Sequence, residues 1–173
     1  TTSTTWTGAN TVGFNMNFAG SNSWVFDGSD DSLTGASASQ ADLSAFTMSC
    51  WVKFTEETLT LADRIFLSRG TTWGAGNGFV GTGVSAGNDR KIAFVFHGYS
   101  NRAEVAVVAD TWYHVVCVFD ASADAANRQK LYVTPEGGST TTDVGSHSAS
   151  TITANTEDYT IGARGTGNKH QGC

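Results

Sequence analysis

Apolar and polar residues alternate in short stretches along nearly the whole chain, and each stretch is closed by Gly, Asp, Asn or Ser. A period of two marks extended backbone, because successive side chains of a strand point to opposite faces. Between positions 46 and 54, Phe46, Met48, Cys50, Val52 and Phe54 share one face, while Thr47, Ser49, Trp51 and Lys53 share the other. The pattern predicts a half-buried strand with Cys50 pointing inward. Similar stretches predict strands at Ile65–Ser68, Phe79–Val84, Ile92–His97, Glu104–Val108, Tyr113–Asp120, Lys130–Thr134 and Tyr159–Ala163, with the core opening at Trp24. Gly87, Asn88 and Asp89 tolerate positive φ and close a hairpin between two of them.

No stretch has helical period. Glu56–Asp63 comes nearest, but Leu59 and Leu61 give it little amphipathicity, and it reads as a loop. The expectation is an all-β chain with less than about 10% helix, folded as a two-sheet antiparallel jelly-roll sandwich of about eight or nine strands. Phe26, Phe46, Met48, Cys50, Ile92, Phe94, Phe96 and Ile161 should be largely buried. Residues 1–22 are rich in Thr, Asn and Gly, and only Phe14, Met16 and Phe18 alternate, so they read as a polar arm with an edge strand. The segment Thr134–Ser150 reads as a flexible polar loop.

Composition narrows this picture. A chain of 173 residues fits one domain, and 20 Gly against a single Pro suits many turns. The net charge of -6 comes without a cluster of Lys or Arg, which argues against nucleic acid as a partner. The longest apolar run, Val115–Phe119, is far short of the roughly 20 residues that cross a bilayer, so no membrane insertion is expected. The start at Thr1 shows no basic or apolar leader, which suggests a processed chain or a piece of a longer polypeptide. No Asn-x-Ser/Thr acceptor occurs, as is ordinary for a bacterial or viral surface protein.

Six pieces of sequence in order resemble one family. They are Phe26-Asp27-Gly28, Phe46–Lys53, Ile65–Gly70, Trp112–Val115, Leu131–Val133 and Ile161–Arg164. Together they resemble the laminin G-like members of the concanavalin A-like lectin/glucanase superfamily. The resemblance implies a sandwich over residues 23–173. Family members usually close with a strand of the type Ile-Asp-Glu-Val-Arg-Ile-Tyr, which would start where the sequence reaches Gln171-Gly172-Cys173, so the sandwich is expected to lack its usual last strand. That place would be filled by a partner chain, a further segment of the polypeptide or the arm near Phe14, so membership of an oligomer or a larger polypeptide is expected.

Hydrolysis of glycosides within this superfamily needs two converging carboxylates. Glu56-Glu57, Asp30-Asp31 and Glu157-Asp158 are adjacent pairs that would point to opposite faces of a strand, and the Glu-x-Asp-x-Glu pattern of the glucanases is absent, so no enzyme is expected. His114 reads as a sheet-face hydrogen-bonding residue. His97, His147 and His170 lack metal-ligand spacing to one another. The resemblance does imply a Ca²⁺ site, for which Asp27, Asp30 and Asp31 are the candidate ligands, although the same residues are plain turn formers. It also implies, by likeness to pentraxins, a disulfide between strands. Cys50 and Cys117 are the candidates, each one residue later than in that pattern, and two buried thiols are the competing reading. Cys173 is left over on either reading.

Candidate ligand-binding residues are exposed aromatics with planar polar neighbours, since sugars stack apolar faces on rings and use planar groups for their hydroxyls. Trp73, set among glycines, is one. His97, Tyr99, Asn101 and Arg102 form a second cluster. The sequence therefore suggests a non-catalytic recognition or adhesion module, binding glycan at a loop rim on an extracellular, cell or virion surface. The alternative is a structural decoration or fibre domain whose surfaces meet neighbouring protein subunits.

Overall fold

The computed structural model describes residues 6–9, 13–15, 23–27, 31–35, 44–55, 64–70, 80–84, 90–96, 102–145, 159–163 and 171–172. They form strands β1 (Trp6–Ala9), β2 (Gly13–Asn15), β3 (Ser23–Asp27), β4 (Ser32–Gly35), β5 (Ala45–Lys53), β6 (Ile65–Arg69) and β7 (Val80–Val84). After these come β8 (Lys91–Phe96), β9 (Ala103–Ala106), β10 (Trp112–Asp120), β11 (Gln129–Pro135), β12 (Thr141–Gly145), β13 (Tyr159–Ile161) and β14 (Gln171–Gly172). The one helical piece among the described residues is a 3₁₀ turn at Ala125–Asn127, so no described helix is long and apolar enough to cross a membrane.

Every ladder is antiparallel. A seven-stranded sheet runs β1-β4-β13-β6-β7-β8-β9, a four-stranded sheet runs β12-β11-β10-β5, and β14-β3-β2 form a third. This is the all-β sandwich that the alternation predicts. The core lies between the two larger sheets. Phe54, Ile92, Phe94, Phe119, Cys117 and Leu131 are fully sealed there, with Phe46 edge-on to Phe94 and stacked on Phe119. Two polar side chains enter this core with partners. The Tyr113 hydroxyl accepts from the Val108 N–H at 2.9 Å, and buried Gln129 on β11 donates its amide N–H to the Phe94 carbonyl of the opposite sheet.

Along β9 and β12 the sheets are also drawn together, because the Asp143 carboxylate accepts the Glu104 backbone N–H at 2.7 Å. Gly145 lies so close there that a Cβ would meet the Gln129 amide at 2.9 Å. On the far side β5 is the last strand of its sheet among the described residues. Its inward residues Phe46, Met48 and Cys50 pack on the core but stay only half-buried. Of the eight residues expected inside, Phe26, Ile92 and Phe94 are buried and Ile161 is half-buried, while the Phe96 side chain lies outside the described residues. Four of the eight are thus half-buried, and Phe46, Met48 and Cys50 fall short because a strand at a margin is covered by neighbours on one side only.

Three pieces of the motif order meet in space. Gly162 follows β13 at φ 84°, and a Cβ there would sit 2.4 Å from the Phe26 ring of β3. Its N–H donates to the Phe66 carbonyl of β6, and Ser68 Oγ donates to the Ala163 carbonyl at 3.0 Å.

Strands β1, β4, β12 and β14 are not among the stretches the alternation picks out. β12 lies inside the segment read as a flexible loop, and β1 lies inside the residues read as an arm. Each is short and carries Thr, Gly or Ser rather than an apolar row, so the ladder partner rather than its own pattern holds it extended. β2, within the same arm, pairs Phe14 with Trp24 of β3, and Gln171–Gly172 pairs with Asp27 and Phe26 of that strand. Glu56–Asp63 and the Gly87–Asp89 turn lie outside the described residues. Arg90, directly after that turn, has φ 51°.

Candidate functional site

Strand parity decides what the four-stranded sheet shows to solvent. With Phe46, Met48, Cys50 and Val52 turned inward, β5 must present Thr47, Ser49, Trp51 and Lys53 on its outer face. In β10 the inward residues are Tyr113, Val115, Cys117 and Phe119, so Trp112, His114, Val116 and Val118 face outward. The register sets His114 opposite Trp51 and Trp112 opposite Lys53. Among the described residues Trp51 is the one aromatic that is strongly exposed, at 56%.

His114 stacks on Trp51 with ring centroids 5.2 Å apart and planes 28° from parallel. Ser49 Oγ holds the imidazole from the same strand as Trp51, 3.0 Å from His114 Nε2, with donor and acceptor set by the tautomer. This is the sheet-face hydrogen bond expected of His114. Beside it Lys53 Nζ stands 5.5 Å from the Trp112 ring centroid, within cation–π range. His114 stacks against the Trp51 indole, and the ring remains 56% exposed on a strand at the margin of the sheet among the described residues. The result is a rigid apolar plate flanked by hydroxyls and one ammonium, and its partners hold it on strands rather than on a loop.

The residues singled out in the sequence fare differently. Trp73, His97, Tyr99 and Asn101 lie outside the described residues. Arg102 is described, and its guanidinium Nε–H donates to Glu104, whose other carboxylate oxygen lies 3.6 Å from Lys91 Nζ. These three side chains form an ion-paired rim across β8 and β9. Of the calcium candidates, Asp30 is outside the described residues, Asp27 is described only as the last residue of β3, and Asp31 is buried just before β4. Among the described residues no group of three His, Cys, Asp or Glu side chains gathers as a cation site would.

Cys50 and Cys117 are not joined in a disulfide. Cys50 faces Val115 and Cys117 faces Met48, so the two occupy diagonal rather than directly opposed positions on the inner face. Burial pushes the Cys50 thiol up to about 12, which keeps it protonated and poorly nucleophilic. Near the 3₁₀ turn, the Ser122 hydroxyl and N–H hold the Asp120 carboxyl below its usual value. Trp51 was not among the sequence candidates. The signal was present, since a tryptophan on the polar side of an alternating strand is an apolar ring aimed at water.

A family model of laminin G type, described as the concanavalin A-like lectin/glucanases superfamily, matches residues 26–172. Among solved structures, the enzymatically active domain of bacteriophage CBA120 tailspike protein 2 superposes with TM-score 0.64 at 12% identity, covering 99% of this chain and 27% of that one. The LG1-3 region of the laminin alpha2 chain gives 0.53 at 16%, covering 82% of this chain and 28% of that one. A heptameric SAP-like pentraxin from Limulus polyphemus gives 0.50 at 16%, covering 86% and 70%. At these identities the likeness is one of fold, and the chain spans about a quarter of the tailspike domain. Comparison with curated protein sequences gave no match.

Proposed function

This chain belongs to the concanavalin A-like lectin/glucanases superfamily, and from that premise we propose that it is a non-catalytic recognition or adhesion module that takes carbohydrate at the outer margin of β5. Its fold, with laminin and tailspike neighbours, suits a carbohydrate-binding or structural module displayed outside a cell or on a particle. The observation that carries the reading is Trp51. An indole exposed at 56% and braced by His114 and Ser49 is a stacking surface prepared before any ligand arrives. A pyranose ring has an apolar face to lay on it, and hydroxyls for the Ser and Thr side chains beside it.

The test is a glycan array probed with the wild type and with Trp51→Ala. Loss of an aromatic anchor should weaken binding by about 1–3 kcal/mol, with little change in thermal stability because the ring is on the surface. An array with no binding, or a variant that melts early and binds normally, would overturn the proposal.

The runner-up is a structural decoration role, in which the same surfaces meet neighbouring subunits. The half-buried inward row of β5 favours it, since a partner there would complete the cover. The tailspike neighbour is an enzymatically active domain, so hydrolysis also has to be tested. We propose that this chain lacks it, because its adjacent acidic pairs cannot flank one bond from a single strand. Release of reducing ends from a bound polymer would show otherwise.

A further inference from the structure

We infer that the ligand of this site is an internal stretch of an extended, uncharged polysaccharide lying along β5, and not the end of a glycan chain held in a pocket. The inference rests on the recognition reading above and adds the class of ligand to it.

Shape is the first argument. The groups around Trp51 come from one strand. Thr47 and Ser49 precede it and Lys53 follows it on the same outer face, and Thr47, Ser49 and Trp51 are all exposed. Outward side chains of a strand recur every second residue, so this row is roughly 20 Å long. It is a line along one strand. A chain terminus is recognised by enclosing it, whereas a line of alternating stacking and hydroxyl groups matches a ligand that continues in both directions. The exposed indole stands at the margin, because β5 is the last strand of its sheet among the described residues. A sugar chain can therefore run beside the strand without crossing the sheet.

Charge is the second argument. Lys53 stands over the Trp112 ring, and Lys130 lies near enough to Asp120 to help lower that carboxyl. The outer face thus holds isolated cations with partners instead of a convergent basic patch, on a chain whose net charge is -6. A polyanionic glycan would find no convergent set of cations there to neutralise it. An uncharged one needs none.

An open line has an energetic signature as well. Each sugar ring touches the protein on one side only, so one ring alone contributes little beyond the cost of immobilising it. Affinity must then grow with the number of linked rings.

The experiment is affinity electrophoresis of the whole chain through gels holding galactomannan, dextran or mixed-linkage β-glucan, with heparin and alginate as polyanions. Monomer to hexamer fragments of the retarding polymer then serve as competitors. The expected result is retardation by an uncharged polymer that survives high salt, with the hexamer competing at least about tenfold better than the monosaccharide. Trp51→Ala should weaken it by about ten- to a hundredfold, and Val108→Ala, at an exposed apolar residue off this face, should leave it intact.

Equal competition by monomer and hexamer would overturn the extended-ligand inference while leaving recognition standing. Salt-sensitive retardation by the polyanions alone would overturn its uncharged character. Retention that ignores Trp51→Ala would move the site elsewhere and overturn it too. Retardation by no polymer would overturn the inference, and if the glycan array is also blank the recognition reading falls with it.

Discussion

Gly162 shows how a residue can be legible in a sequence before its reason is. The Ile-Gly-Ala-Arg piece marks it out, yet the cause lies more than a hundred positions away in the Phe26 ring, which fills the space where a side chain would stand. The positive φ adds a second restriction. Gly162→Ala should therefore cost about 2–5 kcal/mol, combining backbone strain with overpacking, and a denaturant melt will read it directly. Conversely, the parity that buries Cys50 is the parity that exposes Trp51. Trp51 is hard to read as a site from sequence, because an aromatic in a strand signals core as readily as surface, and alternation places an apolar ring on each side of β5. The stack on His114 needed the register, which a sequence does not carry.

At the scale of strands, apolar alternation located β3, β5 to β11 and β13, because each of them carries apolar residues at alternate positions. It did not locate β1, β4, β12 and β14, which are short and polar and exist through their ladders. The two sides of the four-stranded sheet differ in the same physical way. Leu131 on β11 is fully sealed between neighbours on both sides, whereas Met48 on β5 packs on the core from the margin and stays half-buried. Leu131→Ala should cost about 2–5 kcal/mol through the cavity it leaves. Met48→Ala should fall well below that, since solvent and a relaxing edge already share its site. Chemical denaturation of the two variants gives the comparison, and equal losses would mean that β5 is as enclosed as β11.

For the whole molecule, the sandwich is fastened unevenly. Gln129 crosses the core to the Phe94 carbonyl, and Asp143 ties β12 to the backbone of β9, so the sheets are pinned along one side. No comparable link joins them at β5 among the described residues. The arrangement is that of a book bound at its spine, and a book opens at the fore-edge. Amide hydrogens of β5 should exchange with solvent by partial opening, well before those of β10 and β11, whose exchange should wait for global unfolding. Trp51 stands on that fore-edge. A ligand laid along it would act as a clasp, and its occupancy should be readable as slowed exchange confined to β5, a footprint of the bound polymer recorded in the backbone.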